Sequence, residues 1–171
     1  RGLGDVYKRQ EHALTCQDPV RICGMGGKGD TMLEAQTLSI SVARNWRSLY
    51  EALWHPESFP LWATGLSASS LEPDGDAWEA LGSEGPIRIR FTGHNAFGVM
   101  DHWVELQDGK MVHVPMRVVA NGEGAEVMLT LYRQAGMSEE AFRHDQDWVR
   151  RDLQRLRERF SSVPFSPDPS S

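Results

Sequence analysis

The sequence predicts an α+β fold, a curved antiparallel sheet wrapped around one long C-terminal helix. Three observations predict it. Short alternating strands and Gly- or Pro-marked turns fill roughly residues 66–134; one strand and two short helical segments precede them; a long amphipathic stripe follows. An antiparallel sheet with helices on one face curls around its longest helix to cover both apolar surfaces.

Thr37 to Val42 alternates small polar with apolar residues, the period of a half-buried strand. Asn45 is placed to cap a helix carrying Trp46, Leu49, Tyr50 and Leu53 at helical spacing. His55-Pro56-Glu57 breaks it, and Pro56 to Trp62 reads as a second short helix or turn. Trp78–Leu81, Ile87–Phe91, Phe97–Leu106, Met111–Val119 and Glu126–Tyr132 read as strands. The turns are marked by Pro73-Asp74-Gly75, Gly85-Pro86, Asp108-Gly109 and Asn121-Gly122. Ser138 then caps a helix with Glu139 and Glu140 in its first turn, and Phe142, Val149, Leu153, Leu156 and Phe160 form its apolar stripe.

The chain has 171 residues and a net charge of −6, which argues against a general nucleic-acid binder. No apolar run reaches the roughly 20 residues of a membrane span. The arginines crowding residues 150–159 read as a solvated helix face. The opening Arg1–Gln10 resembles translated sequencing-adaptor read-through, and residues 11–31 lack periodicity. Residues 1–31 are therefore expected to be a non-native or unstructured leader, with Met32 as the natural start behind a purine-rich stretch encoding Gly26–Gly29. Both cysteines, Cys16 and Cys23, lie in that leader. A cytoplasmic location is the resulting expectation. The Pro-rich residues 161–171 are expected to be disordered.

The six histidines show no metal-ligand spacing, and no HExxH, Walker A loop or Gly-x-Ser-x-Gly elbow occurs. No metal and no cofactor is expected.

The element order, with the segments Asn95–His102, Val114–Val119, Leu129–Gln134 and Gly136-Met137-Ser138, resembles the START/Bet v 1-like superfamily, also called SRPBCC or helix-grip proteins. The similarity spans about residues 36–160, and within the superfamily it is greatest to uncharacterised bacterial proteins, some labelled polyketide cyclase or dehydratase. The resemblance implies a helix-grip fold. Its members include lipid carriers, hormone receptors, aromatase/cyclases, hydrolases and chaperone activators, so the fold selects no single function.

Strand parity identifies the side chains facing the cavity such a fold encloses. An Asn121-Gly122 two-residue turn pairs Arg117 with Glu126, Met116 with Val127 and Val114 with Leu129, leaving Val112, Val114, Met116, Val118, Val127, Leu129 and Leu131 on one apolar face. At Asp108-Gly109, a two-residue loop would bury Asp101 and Glu105. A three-residue loop with a Gly bulge instead turns Met100, His102, Val104 and Leu106 inward, and it is preferred because burying unpaired carboxylates costs several kcal/mol. Asp101 then lies outside, diagonal to Arg117. Arg133 points inward near a strand end.

The expected ligand-binding residues are His102, Arg133, Trp62, Tyr50, Phe91, Met100, Val114, Met116, Leu129 and Val149. His102 reads either as a ligand-facing acid/base or as a core histidine satisfied by a backbone carbonyl. Arg133 reads either as a carboxylate anchor or as a salt bridge to the helix, for instance to Asp145. Trp46, Tyr50, Trp62 and Trp78 read as pocket mouth or simply as core. The function expected is enclosure of a small hydrophobic or aromatic molecule between sheet and helix. The alternatives are a cyclase, dehydratase or hydrolase with His102 as the catalytic residue, and a chaperone-activator-like interaction domain that uses its surface.

Overall fold

Alternation of Leu38, Ile40 and Val42 with Ser and Thr forms the first strand, β1 (Ala35–Val42). Asn45 caps α1 (Trp46–Leu53), its side chain accepting from the Arg47 N–H at 3.0 Å and the Ser48 N–H at 3.4 Å. This helix buries Leu49, Tyr50 and Leu53. Pro56, with its φ pre-set for a first helical turn, opens a 3₁₀ helix over Pro56–Leu61. Seven strands follow: β2 (Glu72–Asp74), β3 (Ala77–Gly82), β4 (Gly85–Phe91), β5 (His102–Glu105), β6 (Met111–Val114), β7 (Met116–Asn121) and β8 (Gly124–Tyr132). Ser138 caps α2 (Glu139–Phe160) by accepting from the Ala141 N–H at 3.1 Å. The computed structural model describes residues 32–64, 71–82 and 85–161. The expectations for the leader 1–31 and for the tail beyond Ser161 lie outside the described residues.

All strand pairs are antiparallel, in the orders β1-β8-β7 and β2-β3-β4-β5-β6. The strands expected over 97–106 and 111–119 are each interrupted once, at facing positions. His102 pairs with Val114 and Val99 bridges Arg117 in one register, which sets Asp101 opposite Pro115. The Pro115 carbonyl faces β8, so the N–H that proline lacks is one the β7–β8 ladder would have used. The two carbonyls at these positions continue the β4–β5 and β7–β8 registers. The Asp101 carbonyl accepts from the Thr92 N–H and hydroxyl, both at 2.8 Å, and the Pro115 carbonyl accepts from the Thr130 N–H at 2.9 Å. Beyond the break the register resumes, with the Met100 N–H donating to the Met116 carbonyl and the Val118 N–H to the Gly98 carbonyl, each at 2.9 Å.

Between β5 and β6, Leu106 and Lys110 close a three-residue loop, Gln107–Gly109. The Leu106 N–H donates to the Lys110 carbonyl at 2.9 Å, and Gly109 adopts φ +77° as a Gly bulge requires. Met100 and His102 are accordingly buried and Val104 half-buried. The hairpin between β7 and β8 corrects the sequence reading. Asn121 pairs with Gly124, so Gly122 and Glu123 form the turn, with Gly122 at φ +56°. Arg117 therefore faces Met128 and Met116 faces Leu129, two residues from the expected partners. The strand contact explains the shift. A Cβ at Gly124 would lie 2.8 Å from the Val42 carbonyl, so this glycine belongs inside the ladder against β1. A slip of two preserves parity, and the apolar inner face is as expected.

The core lies between that face, α1 and α2. Met116, Val118, Val127, Leu49, Leu53 and Leu156 are fully buried. From α2, Phe142 and Leu153 are buried as well, while Val149 and Phe160 pack against the cluster. No helix among the described residues is long and apolar enough to cross a membrane.

Candidate ligand groove

His102 sits on the inner face, 8% exposed, with its ring edge-on to Phe59 at 5.4 Å and tilted against Phe91 at 5.7 Å. Its Nδ1 is 3.3 Å from the Met100 carbonyl. Burial pushes the imidazole down to about 4, so the ring is neutral at physiological pH. Tyr50, Trp62, Met100, Met116 and Leu129 are buried members of the core cluster, with Phe91 and Val149 packed against it. The Tyr50 hydroxyl accepts from the Asn95 N–H at 2.8 Å, and Trp62 packs on Phe59 at 5.0 Å.

A groove of about 660 Å³ opens beside this core, where β6 and the end of β8 separate under the start of α2. Of the ten expected ligand-binding residues, Val114 alone lines it. Val104, Val112, Val114, Leu131 and Phe142 form its apolar walls, all from alternating inward positions or the helix stripe. His113 and Tyr132, of the opposite parity, also reach it because the strands part there. Lys110, His144 and Asp145 add polar groups.

Behind His113 lies a polar cluster that strand parity placed on the outer face. Asp101 is on that face, but it is only 9% exposed. Its carboxylate accepts from the Met116 N–H at 2.9 Å and pairs with the Arg117 guanidinium, which also donates to the Met116 carbonyl at 2.8 Å. Arg117 thus binds Asp101 and not Glu126, whose carboxylate instead accepts from the Ser41 hydroxyl at 2.6 Å. His113 Nε2 is 3.8 Å from Asp101 Oδ2 and is buried without a hydrogen bond. The His113 ring stacks on Trp103 at 4.9 Å and 9°, and faces Tyr132 at 6.4 Å. Its desolvation pushes the imidazole below its ordinary value.

Arg133 departs from both sequence readings. It donates from Nε to the Met137 carbonyl and from Nη1 to Glu34, each at 3.0 Å, clasping the start of β1 to the approach to α2. It does not line the groove. Sequence reasoning missed Asp152, 8% exposed on α2. Its carboxylate accepts from the Thr64 N–H at 3.0 Å and hydroxyl at 2.7 Å, and Trp148 Nε1 donates to the same hydroxyl. Burial raises the Asp152 carboxyl above its ordinary value, opposed by the Thr64 bonds. One signal was available: 149, 152, 153 and 156 share a helical face, so an acid at 152 sits within the apolar stripe. Among the described residues no three His, Cys, Asp or Glu side chains converge as metal ligands.

No family model and no curated protein matches the chain. Solved structures do match its fold. XoxI from Bacillus cereus is 15% identical with a TM-score of 0.59, over 74% of this chain and 94% of that one. The Aha1 dimer from Colwellia psychrerythraea is 11% identical with a TM-score of 0.57, over 74% and 95%. A START superfamily protein from Mycobacterium smegmatis is 9% identical with a TM-score of 0.56, over 74% and 99%. Together with the curved antiparallel strands and the long C-terminal helix, these likenesses show that the chain has the START/Bet v 1-like helix-grip fold.

Proposed function

We propose that this protein binds a small hydrophobic or aromatic molecule in the groove between β6, β8 and the first turns of α2. The observation that carries the reading is the groove itself. Its volume of about 660 Å³ falls within the roughly 300–1,000 Å³ of small-molecule sites, and its walls are mainly apolar with a few polar groups. The fold neighbours support the architecture and choose no ligand. An acid/base role for His102 draws no support from its position, because its Nδ1 faces a backbone carbonyl and the ring is not in the groove wall.

The test is titration of the full chain with N-phenyl-1-naphthylamine, an uncharged probe that brightens in apolar surroundings. Ala141 is exposed and lines the groove from α2, so Ala141→Trp places an indole in the ligand's space without disturbing the core. Saturable binding is expected in the parent chain. The variant is expected to lose about tenfold in affinity, on the order of 1.4 kcal/mol, with its melting temperature kept. Equal affinity in both proteins would remove the groove as the binding site.

A further inference from the structure

We infer that His113 is the polar anchor of the groove, accepting a hydrogen bond from a hydroxyl group carried by an aromatic ligand, a phenol or an enol. The inference rests on the groove being the binding site and names the chemistry that site selects.

The ring is held on three sides. Trp103 stacks beneath it across the β5–β6 pair at 4.9 Å, Tyr132 of β8, which also lines the groove, lies 6.4 Å away at 26°, and Asp101 stands behind Nε2 at 3.8 Å. Asp101 is itself immobilised by the Met116 N–H and the Arg117 guanidinium. A carboxylate at that distance attracts an N–H and repels a nitrogen lone pair, so the proton resides on Nε2. Nε2 is buried, yet the His113 side chain is 40% exposed. His113 lines the groove, and Nδ1, which is not among the buried unpartnered atoms, is the ring nitrogen left to face it. A fixed acceptor at the edge of an apolar slot selects a ligand with one donor on a flat apolar body.

The charges around the ring favour a neutral donor over an anion. The Asp101 charge is met by Arg117, and on the groove side Lys110 and Asp145 carry opposite signs beside His144. Burial also disfavours the imidazolium, which keeps Nδ1 an acceptor at neutral pH.

The experiment compares 2-naphthol, naphthalene and 2-naphthoate on the full chain, using calorimetric affinities and ¹⁵N shifts of the imidazole nitrogens. The expected result is that 2-naphthol binds about tenfold more tightly than naphthalene and shifts Nδ1 while Nε2 stays protonated. In His113→Phe, which keeps the aromatic stack, the two affinities should become equal. Equal affinities in the parent chain, or a preference that survives in His113→Phe, would overturn the inference while leaving the apolar groove intact. Tighter binding of 2-naphthoate, abolished in Lys110→Gln, would replace the hydroxyl with an anion and overturn it as well. Failure of all three probes to bind would overturn both this inference and the groove reading. The imidazole shifts are read in the unsubstituted protein, so the test stands even if a variant folds poorly.

Discussion

Replacing His102 with leucine should remove a large part of the acid sensitivity of this fold. The ring is 8% exposed, and burial lowers its pKa from 6.5 to about 4. The unfolded chain therefore binds a proton that the folded chain refuses. For a basic group depressed in the folded state, the contribution is fully present above pH 6.5 and is lost as pH falls toward 4. At about 1.36 kcal/mol per unit, the full loss is on the order of 3 kcal/mol, of which about 2 kcal/mol is gone by pH 5. Asp152 works in the opposite direction, since a carboxyl raised by burial loses stability as pH rises. The difference between the two proteins isolates His102 from that effect. At pH 7.5 the variant loses one hydrogen bond of 3.3 Å to the Met100 carbonyl, a change of about 0.5–1.5 kcal/mol offset by burial of an apolar side chain. The assay is urea denaturation of parent and His102→Leu at pH 7.5, 6 and 5. The variant is expected to gain on the parent by about 2 kcal/mol between pH 7.5 and pH 5. A difference that stays constant with pH would refute the buried, neutral assignment of this ring.

Two other expectations follow from packing. Truncation before Ser138 removes Phe142, Leu153 and Leu156, each 3% exposed or less and each worth about 1.5–3 kcal/mol, against a domain stability of about 5–15 kcal/mol. The remaining chain should show no cooperative thermal transition by circular dichroism. Gly98→Ala should destabilise by several kcal/mol, because φ is +69° and a Cβ would sit 2.1 Å from the Val118 carbonyl oxygen. Denaturant midpoints of the two proteins measure it, and a loss below about 1 kcal/mol would mean that the 92–98 loop is not held as described.

Periodicity and caps carried most of the fold into the sequence. Asn45 and Ser138 cap the helices they precede, and the preference for a three-residue loop at Asp108-Gly109, made on the cost of buried carboxylates, turns His102 inward as observed. The Asn121-Gly122 turn was read one residue early, which displaces the pairing by two, because turn chemistry is local, whereas the close approach of Val42 to Gly124 is a contact between distant strands. The same limitation hid Asp152. Its partner Thr64 lies 88 positions away, and its neighbours Arg150, Arg151 and Arg155 make the segment look solvated. The groove was the least legible feature. It exists because Pro115 interrupts the ladder and β6 parts from β8, which lets outward-facing His113 and Tyr132 reach the same space as inward-facing Val112 and Leu131. A strict in-or-out parity rule has no place for a residue at a split in a sheet. Even so, the Trp103–His113 pair follows from the preferred loop register, and with Asp101 diagonal to it the cluster was within reach of that argument.

The most direct test of the groove is to locate a bound ligand by NMR. With methyl-labelled protein saturated with naphthalene, intermolecular NOEs should appear on the methyls of Val112, Val114 and Leu131, which line the groove, and not on those of Val42, Leu49 or Leu53, which belong to the packed core. NOEs confined to the core methyls, or none at saturating ligand, would contradict a binding site between β6, β8 and α2.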